Sequence, residues 1–220
     1  LHIPQFDSIG ADGLPLLRWL EQVIFPAEAR WADADFAAAM AQRVARRLLA
    51  AGTTAIAAYG TVHAAGTAAA MRELAAAGLA GCFGQVLMDR PPYAPPALCR
   101  PTAALLAEAA AAAPVGRLQP AITPRFAVCC TEQLLAGCGE LAARTGRIVQ
   151  THLSETLDEC DLIRRLYDGA SYVEVYRRAG LLTPRTLLGH GIWLTDADRH
   201  VLSQAGSIIA HCPTANLFLQ

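Results

Sequence analysis

The chain has 220 residues, 54% hydrophobic and 17% charged, with a formal net charge of −1. That length suits one domain with ample core-forming material, and near-neutrality without any Lys/Arg cluster beyond a pair argues against nucleic acid or an anionic membrane surface as partner. Seven scattered cysteines with no C-x-x-C spacing argue against a disulfide framework or a thiolate zinc site and fit a reducing cytoplasm.

In chain order, His2-Ile3-Pro4-Gln5-Phe6 opens the chain and a loop with two glycines follows. The apolar pattern of 14–24 predicts a short helix closed by Pro26. A helix over 33–50 has Asp33 or Asp35 as cap and Gly52 just past its end. A strand at 53–59 leads to Thr61-Val62-His63, a helix covers 67–77, and a strand at 80–88 exits at Asp89. A proline-rich loop, 91–101, precedes a helix over 102–113 stopped by Pro114. The strand 118–123 leads into Pro124-Arg125-Phe126, and Thr131 opens a helix to Arg144 with Gly146 beyond. A β-branched strand at 148–152 ends at His152 and turns into a helical region over 157–179, with a break expected at Gly169. The strand 186–188 feeds Gly189-His190-Gly191, Thr195 caps a helix to 204, and 207–210 feeds His211-Cys212-Pro213.

Six strand–helix alternations of this kind predict parallel strands with right-handed helical crossovers. An open doubly wound sheet and a barrel both fit the count. The absence of a G-x-G-x-x-G after the first strand and of a P-loop takes weight from nucleotide-binding open sheets. In a barrel, functional groups gather where strands end and helices begin. Of the six histidines, only His200 falls inside a predicted helix; His2, His63, His152, His190 and His211 sit at strand exits. Histidines converging with a carboxylate make a hydrolytic metal site, zinc first among the candidates, with one position open for water. Glu155, three positions after His152, is placed to move protons. Each candidate has a plainer reading: His2 a terminal residue, His190 a turn between glycines, Arg125 a surface charge, and His63 and His211 structural groups.

These phrases resemble the guanine deaminases of the amidohydrolase superfamily. The resemblance rests on His2-Ile-Pro-Gln-Phe6, Leu16-Leu-Arg-Trp-Leu20, Phe25-Pro-Ala-Glu28, Gly52-Thr-Thr54, Thr123-Pro-Arg-Phe126, Thr151-His-Leu-Ser-Glu155, Gly189-His-Gly191 and Ala210-His-Cys-Pro-Thr-Ala-Asn216, in the family's order across nearly the whole chain. It implies a TIM-type (β/α)8 barrel, here incomplete with about six to seven βα units in a single catalytic domain over 1–220. It implies His2 and His152 as ligands of one divalent metal, zinc or else iron, Glu155 as proton shuttle and His190 as the group over the reacting water. Gln5, Arg125 and Phe126 match positions that hold the purine. The implied reaction is hydrolytic deamination of guanine to xanthine and ammonia, in purine catabolism, by a cytoplasmic homodimer. The chain departs from the family pattern in three ways. The first histidine of H-x-H would fall one residue before Leu1, the metal-binding aspartate beyond Gln220, and the small β-domain is missing. These departures predict exposed strand edges, and they leave two alternatives: a sibling enzyme acting on another aminated or halogenated heterocycle, or an inactive fragment.

Overall fold

A computed structural model describes residues 1–11 and 13–218; Asp12, Leu219 and Gln220, part of the expected 1–220 domain, lie outside the described residues. The architecture is α/β. The strands are β1 (Ala55–Tyr59), β2 (Ala80–Gly84), β3 (Val86–Leu87), β4 (Leu118–Pro120), β5 (Thr123–Pro124), β6 (Val149–Leu153), β7 (Thr186–His190) and β8 (Ile208–Ala210). They pair as β1-β2-β4, β3-β5 and β6-β7-β8, and every ladder is parallel. Single parallel bridges, His2 to Tyr59 and Ile122 to Val149, extend the order at one end and join β4–β5 to β6. The wall therefore runs in chain order from His2 to β8, whereas a doubly wound sheet reverses its order part-way.

Two predicted strands are split. The predicted strand 118–123 is divided at Ala121–Ile122; Pro120 and Pro124, which have no N–H to donate, share the side of Ile122, whose N–H reaches the Ile148 carbonyl, and pairing with β6 on that side is a single bridge. Gln85 separates β2 from β3 and turns its amide to the Val62 carbonyl (3.0 Å) and the Glu108 carboxylate (2.6 Å). The last strand exposes its apolar residues as expected, with Ile208 50% and Ile209 38% accessible.

Helices begin with α1 (Leu16–Trp19), which runs on through a π-helical turn, Leu20–Ile24, into α2 (Phe25–Ala29). Pro26 thus does not end the helix. The wide turn before it lets the Phe25 N–H reach the Leu20 carbonyl, and Pro26 falls in the first turn of α2, where a missing N–H costs nothing. Asp33 caps α3 (Ala34–Ala50), accepting from the N–H groups of Asp35 and Phe36. Next come α4 (Ala64–Ala76), which starts three residues earlier than expected with His63 as its N-cap, α5 (Thr102–Ala111) and α6 (Glu132–Thr145). Gly66 in α4 is a close-approach position: a Cβ there would stand 2.2 Å from the Trp31 carbonyl oxygen. The helical region after β6 breaks into α7 (Leu157–Leu166) and α8 (Tyr172–Arg178), with Asp168 and Gly169 both at positive φ between them. Thr195 caps α9 (Asp196–Ala205). The segment after β8, to which the sequence pattern assigns no element, forms α10 (Pro213–Phe218); Pro213 pre-sets its first turn.

The core lies in two clusters. A smaller one packs α3 and α4 on β1, β2 and β4 around Trp31, Leu74, Phe83 and Leu118. A larger one extends from Leu16–Phe25 through β3, β6 and β7 to Tyr176. No helix among the described residues is long and apolar enough to cross a membrane.

Candidate active site

The C-terminal ends of the strands surround a cavity of about 130 Å³ lined by His2, Gln5, Arg125, Phe126, His152, Glu155 and His190, with Leu16, Trp19, Leu20 and Ala215 completing its wall. All seven residues to which the resemblance gives a role therefore share one space. His63 and His211 do not line it, and His200 is exposed on α9.

His152 ends its strand with its Nδ1 2.7 Å from the Arg125 carbonyl oxygen. A carbonyl only accepts, so Nδ1 carries the proton and Nε2 offers its lone pair to the cavity. The Nε2 atoms of His2 and His152 face each other at 2.8 Å. Tyr59, at the end of β1, stacks on His2 at 4.4 Å and leans on His152 at 4.8 Å. Burial, and then the neighbouring His152, push the His2 imidazole well below its ordinary pKa. Burial, and then His190, do the same for His152. Both rings are thus neutral at physiological pH, the state in which imidazole binds a metal. The Nδ1 of His2 is buried without a hydrogen-bond partner among the described residues. Two converging neutral imidazoles fit a zinc ion's donor preference. No group of three or more ligating side chains is assembled among the described residues.

His190 sits at φ 72°, in the left-handed region that non-glycine residues enter at a cost. Gly189 and Gly191 flank it. The conformation puts its Nε2 3.2 Å from Glu155 Oε1 and its Nδ1 2.6 Å from Asn216 Oδ1. Glu155 is 8% exposed. Burial, with the nearby Glu159 adding to it, pushes its carboxyl up to about 8, so it holds a proton at neutral pH. Glu159 lies behind it, fully buried, accepting from the Glu155 N–H (2.9 Å) and the Tyr172 hydroxyl (2.6 Å). The Tyr176 hydroxyl donates to the His152 carbonyl (2.7 Å) and accepts from the Ala127 N–H (3.1 Å), fixing the end of β6.

Arg125 is buried, not a surface charge. Its Nη1 is 2.6 Å from both oxygens of Glu28, itself fully buried on α2. The Gln5 amide reaches the same carboxylate at 3.3 Å. Burial would lower the Arg125 pKa, but the Glu28 carboxylate outweighs it and the net shift is upward. Glu28, Tyr59, Glu159 and Asn216 are site groups that the sequence reading left without a role. Two of them, Glu28 and Asn216, stand within the phrases that carry the resemblance.

The whole chain, residues 1–220, matches the amidohydrolase family. It belongs to that family. This amidohydrolase is 38% identical over 232 residues to a protein from Schizosaccharomyces pombe named "Probable guanine deaminase", covering 100% of this chain and 43% of that protein. Its fold matches the crystal structure of guanine deaminase from C. acetobutylicum with bound guanine, with a TM-score of 0.93 and 30% identity over 99% of this chain and 54% of that one. An atrazine chlorohydrolase mutant from Arthrobacter aurescens, complexed with zinc and atraton, shares the fold at a TM-score of 0.87 and 16% identity, covering 99% of this chain and 53% of that one. This amidohydrolase thus spans about half the length of the relatives it matches.

Proposed function

We propose that this amidohydrolase deaminates guanine hydrolytically to xanthine and ammonia, within a barrel-type catalytic unit whose wall is the chain-ordered run of parallel strands. The observation that carries this reading is the single cavity shared by Gln5, Arg125, Phe126, His2, His152, Glu155 and His190, in a chain similar to guanine deaminases along its whole length. Zinc, held by the Nε2 atoms of His2 and His152, would supply the Lewis acidity that makes a water nucleophilic near neutral pH.

The remaining work falls to the side chains. Arg125 donates to the carbonyl oxygen at position 6 of guanine, an acceptor where adenine has an amino donor. Gln5 bonds the ring edge beside it, and Phe126 forms an apolar wall. A site built on such bonds rejects the wrong purine by roughly 10⁴-fold or more. As water attacks C2, Glu155 delivers one of that water's protons to a ring nitrogen, where it stays in xanthine, and the other to the departing ammonia. His190, its ring oriented by Asn216, steadies the charge developing on the attacking oxygen. The free cysteines support a cytoplasmic setting, and the homodimer expected from the resemblance forms part of the same proposal.

The test is ammonia release from guanine with zinc supplied, measured for this chain and for any longer polypeptide its gene encodes. We expect release from guanine and none from adenine. No release from guanine by either polypeptide overturns the reading.

A further inference from the structure

We propose that Glu28 is a positioning residue that sets the purine specificity of the site by fixing which way the Gln5 amide faces and how the Arg125 guanidinium is oriented. This inference rests on the guanine reading above. A carboxylate can only accept hydrogen bonds. Gln5 must therefore turn its Nε2 to Glu28 Oε1, 3.3 Å away, and its own Oε1 is left to accept from whatever enters the cavity. The two contacts of Arg125 with Glu28 are both made through Nη1, at 2.6 Å. Nη2 and Nε take no acceptor among the described residues and remain for a ligand. The ring of Phe25, 5.2 Å from the guanidinium carbon, limits its tilt. Together these contacts present an acceptor beside donors, the complement of an adjacent N–H and C=O on a lactam ring.

Charge points the same way. Glu28 and Arg125 are 0% and 3% exposed and form a pair of zero net charge. The cavity wall then carries directional donors without a bare cation, which suits a neutral lactam better than an anion. Glu28 reaches Arg125 across 97 positions of sequence and Gln5 across 23, so one carboxylate aligns groups delivered by two separate segments. It touches neither the reacting carbon nor the leaving amine and acts through its neighbours.

The test is equilibrium binding of guanine and of adenine to the zinc-supplied full chain, for the wild type, Glu28→Asp and Glu28→Gln, with thermal unfolding of each. Asp keeps the charge but falls one methylene short of holding both partners. Gln keeps the length but can donate, which frees the Gln5 amide to turn over. We expect folded Glu28→Asp to bind guanine roughly tenfold more weakly, the scale of one misaligned hydrogen bond, with adenine affinity unmoved, so that the guanine preference shrinks. In Glu28→Gln the preference shrinks further if that variant folds. A guanine-to-adenine ratio unchanged in a folded variant overturns the proposal. Failure of both variants to fold also overturns it, by assigning the carboxylate to the fold alone. A wild-type chain that binds neither purine overturns the guanine reading itself, an outcome distinct from a wild type that discriminates and a variant that discriminates equally.

Discussion

Glu155 and His190 face each other across 3.2 Å, and the arrangement has a measurable consequence. A carboxyl that holds its proton at neutral pH can release it to a ring nitrogen and take another from water without leaving its place. Replacing it with an amide of the same size removes that capacity and leaves the cavity shape intact. We expect Glu155→Gln to lower kcat for guanine by roughly 10²–10⁴-fold, the usual scale for losing a general acid–base group; full activity in the folded variant sinks the assignment. At this scale the sequence was legible where chemistry and position coincide. A histidine at a strand exit, or one bracketed by glycines, is an unusual place for an ordinary residue. Glu28 was not legible in the same way. An acidic residue in a short helix near the chain start reads as a solvated charge, and only the fold shows that its partner is Arg125. Tyr59 escaped notice for the opposite reason, because an aromatic residue at the end of a buried strand is ordinary core material until two imidazoles are found packed against it.

Helices and strands are held to one another by their end groups. Asp89, just past β3, accepts from the Thr131 N–H (2.7 Å), the Thr131 hydroxyl (2.6 Å) and the Thr102 hydroxyl (2.6 Å). It clasps the start of α5 to the start of α6, and its negative charge sits at the positive ends of both helix dipoles. We expect Asp89→Ala to destabilise the fold by about 2–4 kcal/mol, the sum of a few charge-assisted bonds discounted for partial exposure, read as a lower urea midpoint at unchanged slope. An unchanged midpoint would mean that water satisfies these donors equally well. The caps at Asp33, Thr131 and Thr195 fell where the sequence put them, because a short polar side chain before an apolar run has few other uses. Pro26 misled because the rule that proline ends a helix assumes an unbroken α-helical ladder, and the π turn at Leu20–Ile24 supplies a different one. The thin pairing of β4–β5 with β6, a single bridge at Ile122, goes with Pro120 and Pro124 on that side, which a strict reading of proline as a missing donor could have found.

Across the whole molecule, His2 and His152 are 150 positions apart and meet within 2.8 Å. A cation shared by them would cross-link the start of the chain to β6, so zinc should stabilise the entire fold. At a free concentration 100 times its dissociation constant we expect about 2.7 kcal/mol of added stability, or roughly 5–10 °C in the unfolding midpoint. A chelator should reverse the shift and His152→Ala should abolish it; a midpoint indifferent to zinc would remove His2 and His152 from the proposed metal site. The parallel α/β plan was legible because strand and helix patterns alternate so regularly, while the order in which strands pair was not, since periodicity says nothing of neighbours. That order has a further consequence for how the molecule is made. β2, β4, β5, β7 and β8 each add beside a strand a few dozen residues back, and β6 meets the preceding chain through the Ile122–Val149 bridge. A polypeptide emerging from the ribosome amino end first can therefore pair most of its strands as they are synthesised, whereas the cavity is completed only when Arg125 and His152 reach Glu28 and His2.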